Sequence, residues 1–368
     1  MDFRLDDDLV EAQGLARAIL SDKATTERVR EVEGTGTRVD DALWAELGKA
    51  GLLGIAVPAE HGGAGLGLDA LCVLLEEQGR YVAPVPLWPA AVAALAVAAH
   101  GSREQRDRLL PGAADGSSRM TLALEELGAE PASPRCSAVP DGERWRLDGA
   151  KAVVPTPRGA SSLLVSASSP DGPGLFLVAA DAEGLDWEWA ETTTHDLAGN
   201  LTLRGAVAEP LGSVAAGTLG WTLRRATVAL AAIQLGVAEG ALRLAASYLG
   251  ERHQFGRPLA TFQSVQHQLA DCWIDVDAMR VTLWQAVTAL ADGEAADRAV
   301  LVATWWAGQA GLDVVHRVQH LHGGIGVDVD YPVHRHFLWG RQVAHTLGGP
   351  SAALADLGDV LAAQEAVS

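Results

Sequence analysis

The chain has 368 residues, enough for a large core and for two or three domains. Lys and Arg number 28 against 47 Asp and Glu, a formal net charge of −19, which argues against nucleic acid or an anionic membrane surface as partner. An anionic ligand can then be held only at a local basic spot.

The N-terminal stretch Met1 to Asp8 is acidic and does not read as a signal peptide. No uncharged apolar run reaches the ~18 residues of a membrane span, so a soluble, cytoplasmic protein without membrane insertion is expected. Residues 1–118 read as a helical domain. Asp6, Asp7 and Asp8 suit the positive end of a first helix, whose apolar positions include Val10, Leu15 and Ile19. Asp40 or Asp41 can cap a second, with Leu43, Leu47 and Ala50 inward. An apolar helix follows from Leu68 to Gly79. Gly65-Leu-Gly67-Leu-Asp-Ala70 matches a loose dinucleotide fingerprint after a strand-like Ile55 to Val57. No parallel βαβ continuation follows, so it reads as a turn between helices.

Residues 119–212 read as an antiparallel β barrel or sandwich. Met120 to Leu124, Arg144 to Leu147, Ala152 to Val154, Leu163 to Ser166, Leu175 to Ala179 and Leu201 to Arg204 are short, often alternating, and separated by Gly, Pro, Asp and Ser. Asp148-Gly149 is a hairpin-turn signal. Residues 213–368 read as a four-helix-type bundle: one helix to about Arg252, one from Thr261, one from Glu294 to about His320, and two after Pro332. Val265, Leu269, Cys272, Val276, Met279, Leu283, Ala286 and Leu290 form a heptad-like seam on the second of these. The cysteines, Cys72, Cys136 and Cys272, are an odd number without metal-ligand spacing, and Cys272 falls on that seam. His316 and His320, four apart, have a spacing that can bind zinc, but helix polar positions explain them better and no metal is expected.

The corner at Glu251 to Asp271 carries unusual chemistry. Gly256 and Pro258 stop the incoming helix, and Thr261 is a suitable N-cap for the outgoing one. Arg252 and Phe255, three apart, are expected on one helix face. A guanidinium, an aromatic ring and the glutamines Gln263, Gln266 and Gln268 can hold a phosphate and a planar ring system. Solvated arginines at an ordinary helix turn are the alternative.

Arg-His-Gln-Phe-Gly-Arg-Pro-Leu-Ala-Thr-Phe-Gln-Ser-Val-Gln-His-Gln-Leu-Ala-Asp, ending at Asp271, closely resembles the central motif of the acyl-CoA dehydrogenase family. His320-Leu-His-Gly-Gly-Ile-Gly326, followed by Tyr331-Pro332, resembles that family's second motif at the required distance. The resemblance covers nearly the whole chain. It implies an α+β fold of helical domain, central β barrel or sandwich, and helical bundle. It also implies FAD as cofactor, an acyl-CoA as substrate and an electron-transfer flavoprotein as acceptor. Arg252 matches the arginine that reaches FAD pyrophosphate from a neighbouring subunit, Phe255 the flavin- or adenine-side aromatic, and Gly323 and Gly324 the glycines approached by the cofactor. The family glutamine before the glycine pair falls on His320, with Gln319 adjacent. The family's flavin-contacting threonine falls on Pro155, and Thr156 can replace it if the loop shifts by one residue.

The family's catalytic base is missing. One base position falls on Leu347 or Gly348, and the alternative position falls near Ala226 and Thr227. No carboxylate stands at either, so no catalytic residue is assigned. The chain thus resembles the short members that form α2β2 tetramers, some acting on steroid side-chain thioesters, in which one subunit supplies the base and its partner part of the FAD site. The alternatives are a flavin monooxygenase or N-hydroxylase of the same fold, a homo-oligomer, or a structural subunit without flavin.

Overall fold

The computed structural model describes residues 5–213, 217–293 and 296–365. The polypeptide folds into two units, each assembled from separate stretches of sequence. The helical unit comprises Met1–Thr26, Cys72–Ala83 and Thr227–Ser368, and the β-bearing unit Glu27–Leu71 and Pro84–Ala226.

Six helices precede the first strand: α1 (Asp7–Lys23), α2 (Thr26–Glu33), α3 (Asp41–Lys49), α4 (Gly67–Tyr81), α5 (Leu87–His100) and α6 (Arg103–Asp115). Asp6 caps α1 by accepting from the Leu9 N–H, and Asp40 caps α3 by accepting from Leu43. The buried face of α1 is Leu9, Ala16 and Leu20. Val10 and Leu15, expected inward, are exposed: the burying stripe is set by Ala16, a residue too small to stand out in a hydropathy pattern. No strand forms at Ile55 to Val57, which are turn residues, and Gly67 opens α4 directly.

Seven strands follow: β1 (Met120–Ala123), β2 (Ser137–Asp141), β3 (Arg144–Pro155), β4 (Ser162–Ser169), β5 (Gly172–Ala179), β6 (Leu185–Glu191) and β7 (Leu197–Pro210). β4 pairs with β5, β5 with β7, β7 with β3, β3 with β2 and β2 with β4, so the sheet closes on itself as a barrel. Leu147, Leu163, Val165, Phe176, Val178 and Leu201 fill its interior. The sheet is mixed rather than purely antiparallel, because β1 and β2 each run parallel to β4. Asp148-Gly149 is not a turn. It lies inside β3 at a register shift against β7, where a Cβ on residue 149 would stand 2.8 Å from the backbone of Cys136. The β2–β3 hairpin instead turns at Gly142-Glu143, between the paired Asp141 and Arg144.

The remaining helices are α7 (Thr218–Glu251), α8 (Gln263–Ala291), α9 (Asp297–His322), α10 (Val333–His345) and α11 (Pro350–Glu365). The expected start of α9 at Glu294 lies outside the described residues. The seam of α8 is buried from Cys272 through Leu290, and all three cysteines are buried and free. An 18-residue stretch of α7 has a mean hydropathy of 1.5, in the range of a membrane span, but 78% of it is buried as protein core.

Candidate functional site

In the helical unit, α7 ends in a two-stranded hairpin, β8 (His253–Gln254) with β9 (Arg257–Pro258), before α8 begins. The hairpin turns on Phe255 and Gly256, both at positive φ (54° and 80°). Phe255 has therefore left the helix, so it does not share a helical face with Arg252; its ring is 90% exposed. Phe255 stands edge-on to Phe262 (6.1 Å between centroids), and the Arg257 guanidinium lies 4.1 Å from the Phe262 ring centroid. Thr261 does not cap α8. Its hydroxyl donates to the Pro258 carbonyl within a short 3-10 turn, and Phe262 takes the N-cap position without a side-chain bond. Arg252 and Gln263 are exposed, and among the described residues no carboxylate pairs with Arg252.

The glycine motif is set by a buried aromatic stack in the same unit. His322, 3% exposed, stacks on Tyr248 of α7 (4.9 Å) and tilts against Tyr331 (5.3 Å). Its Nδ1 faces the Val318 carbonyl at 2.8 Å, and burial pushes its pKa down, so the ring is neutral. Gly323 follows at φ 62°, ψ −140°, a conformation that side chains do not tolerate. A Cβ at Gly323 or Gly324 would meet nothing within 4 Å, so the backbone there is open to close approach. Gln319 folds inward and donates to the Gly326 carbonyl, while His320 points to solvent. His316 packs edge-on to Phe337 (4.8 Å), and among the described residues no cluster of three metal-ligating side chains forms.

The helical unit also holds a small cleft lined by Thr227, Leu230, Gln234, Ala307, Thr346, Gly349 and neighbours. Of the base positions read from the sequence, Thr227 lines the cleft; Leu347 and Gly348 do not, but their neighbours Thr346 and Gly349 do. The lining contains no acid. Its unusual polar group is Gln234, 1% exposed, whose Nε2 donates to the Gly340 carbonyl at 3.0 Å. A Cβ on Gly311 would stand 2.4 Å from that Nε2, so Gly311 makes room for the amide. The Gln234 Oε1 is buried without a partner, an acceptor facing an otherwise apolar, hydroxyl-dotted space. Sequence reasoning missed Gln234 because it sits inside an alanine-rich helical run.

In the β-bearing unit, β3 bulges between Lys151 and Val154, with Val153 at φ 49° and Thr156 at φ 40°. The Thr156 N–H donates to the Leu197 carbonyl at 3.1 Å, and its hydroxyl is buried with no protein partner. The bulge adds one residue to β3 just before Pro155 and Thr156. Beneath the bulge Lys151 is fully buried, its Nζ 2.6 Å from Glu126 Oε1 and 2.8 Å from Ser166 Oγ. Burial pulls the Lys151 pKa down, against the opposing pull of Glu126.

Comparison with known proteins gives a consistent result. Family models for the acyl-CoA dehydrogenase N-terminal and C-terminal domains match residues 6–117 and 217–357. Acyl-CoA dehydrogenase FadE27 of Mycobacterium tuberculosis is 36% identical over 373 residues, covering 98% of this chain and 99% of that protein. Among solved structures, a chain of the Tcur3481–Tcur3483 steroid ACAD, a single-residue variant, is 64% identical at a TM-score of 0.95, covering 98% and 99% of the two chains. A chain of the ChsE4–ChsE5 complex from Mycobacterium tuberculosis is 36% identical at a TM-score of 0.94, with the same coverage.

Proposed function

The chain belongs to the acyl-CoA dehydrogenase family, and from that premise we propose that it is the base-lacking subunit of a two-protein, FAD-dependent dehydrogenase that desaturates an acyl-CoA at Cα–Cβ. The observation that carries this reading is the cleft of the helical unit. Removing an α proton needs a positioned carboxylate, worth typically ~10²–10⁴-fold in rate. One place where the family keeps one, at Thr227, lines this cleft, the other, at Leu347-Gly348, lies between two of its lining residues, and neither carries an acid. Two relatives, at 64% and 36% identity, are solved as two-protein assemblies, Tcur3481–Tcur3483 and ChsE4–ChsE5. The first is described as a steroid ACAD, which points to a bulky steroid side-chain thioester as the substrate of the assembly.

The residues present fit a flavin dinucleotide. In the helical unit the unpaired Arg252 guanidinium would meet a pyrophosphate, and the open backbone of Gly323 and Gly324 would admit a planar group at van der Waals distance. In the β-bearing unit the unpartnered Thr156 hydroxyl would donate to a flavin acceptor. Bound flavin supplies the hydride acceptor. This chain's own work is to hold charge, orient the ring and keep water out, while the proton-removing acid comes from the partner. The exposed apolar residues Phe255, Trp273, Ile274, Val327 and Val329 of the helical unit support burial against another chain.

The test is to purify the chain alone and together with a homologous dehydrogenase that carries a glutamate at a base position. The pair should show flavin absorbance and desaturate a steroid side-chain CoA thioester with an artificial electron acceptor. Full flavin occupancy and desaturation by the lone chain would overturn the proposal. Oxygen consumption without desaturation would point to a monooxygenase instead.

A further inference from the structure

A second cluster stands apart from these residues, inside the β-bearing unit. Thr218, Trp221, Thr222 and Arg225 lie on one face of the first two turns of α7, at helical spacings of three and four. The Arg225 guanidinium carbon lies 3.6 Å from the Trp221 ring centroid. Its hydrogen bond goes to the Trp221 carbonyl of its own helix, at 3.3 Å. Among the described residues no carboxylate pairs with it. His100, the last residue of α5, meets the same indole edge-on at 4.7 Å, and its Nε2 is buried without a partner. The Thr218 hydroxyl, on a fully buried residue, is also without one.

This arrangement is costly as it stands. Burial, and then the charge of Arg224, lower the Arg225 pKa to about 10. Burial, and then the charge of Arg225, lower that of His100. Two groups that can carry positive charge thus face each other's field, desolvated, in a chain with a net charge of −19 and no acid turned toward them. The indole beneath the guanidinium restricts where it can move, which favours a site for a forked ligand. The positive end of the α7 dipole adds to the same field.

We propose that Arg225 and His100, braced by Trp221, bind an oxyanion group of a ligand, a phosphate or a carboxylate. Arg225 donates two N–H bonds in its guanidinium plane, and the neutral His100 ring donates from Nε2. The Thr218 hydroxyl is a third donor one to two turns earlier. This site does not depend on the missing base or on the flavin reading, and its test needs no turnover.

The experiment is isothermal titration of the purified protein, with its partner where one is needed for solubility, against four probes: inorganic phosphate, glutarate, CoA and 3′-dephospho-CoA. Wild type should bind phosphate or glutarate, and Arg225→Gln should weaken that binding at least tenfold. Arg225→Lys, which keeps the charge but loses the fork, should fall between. Arg103→Gln, which removes a fully solvated arginine, should leave binding unchanged. If CoA binds at least tenfold tighter than 3′-dephospho-CoA, and Arg225→Gln removes the difference, the group is the ribose phosphate. If glutarate binds and the two coenzyme forms do not differ, it is a carboxylate. Thermal melting without anions provides the control for folding: removing an uncompensated charge should leave the melting temperature unchanged or raised. No measurable binding of any probe, equal binding by wild type and Arg225→Gln, or a melting temperature lowered by Arg225→Gln with anion binding intact would each overturn the proposal.

Discussion

Lys151 shows how single residues govern this molecule. Its ammonium is enclosed by Glu126 and Ser166 under the β3 bulge that precedes Thr156. Removing one partner of a buried pair strands the other, at about 3–5 kcal/mol. Lys151→Met should therefore cost about that much in urea denaturation, and adding Glu126→Leu should restore a large part of it. His336 gives a pH-dependent counterpart. It is 4% exposed, lies 3.1 Å from the Arg80 carbonyl, and burial holds its pKa down to about 4 against 6.5 when unfolded. As pH falls, the unfolded chain takes up that proton first. The contribution of His336 is complete above pH 6.5 and is lost as pH drops toward 4, by about 3 kcal/mol. Denaturation midpoints measured across that window should fall more steeply for wild type than for His336→Phe.

At the scale of elements, α4 and α7 approach closely within the helical unit. A Cβ on Gly79 would stand 2.1 Å from the Ile233 carbonyl oxygen, and one on Gly236 would stand 1.9 Å from that of Glu76. The contact is locked by ion pairs: Arg80 reaches Glu76 and Glu77 on its own helix and Glu239 on α7, and Arg280 of α8 closes the network on Glu76 and Glu239. Glycine to alanine inside a helix ordinarily stabilises by about 0.4–1 kcal/mol. Here Gly236→Ala should instead destabilise by about 1–3 kcal/mol through overpacking, as thermal or urea unfolding would show. Elements also explain what the sequence revealed. The long seam of α8 and the motif residues Arg252, Gly323 and Gly324 were readable because periodicity or a short rigid pattern carries them. β2 and β6 were not, since β2 buries one residue of five and β6 none fully, so neither shows an apolar signature. The hairpin at Phe255 was hidden by the helical pattern on both sides of it. The orphaned acceptor of Gln234 depends on Gly311 and on Gly340, 106 residues away, a long-range relation that no local pattern encodes.

At the scale of the whole molecule, what is missing counts as much as what is present. The family fold, the glycine motif and a cleft without an acid support the proposal that the chemistry is completed by another chain. Size-exclusion chromatography of the co-purified pair should give one species containing both chains. The two places where an acid could be introduced are not equivalent. Leu347 sits at φ 61° and Gly348 at φ 123°, whereas Thr227 lies on a regular helix. A glutamate at Gly348 must be held in backbone geometry that favours glycine, at about 1–3 kcal/mol, while one at Thr227 meets no such resistance. Gly348→Glu should thus lower the melting temperature more than Thr227→Glu. A carboxylate introduced into this chain is therefore accommodated more readily by the helix at position 227 than by the strained glycine of the loop, which makes the helix the open route to a base of the chain's own.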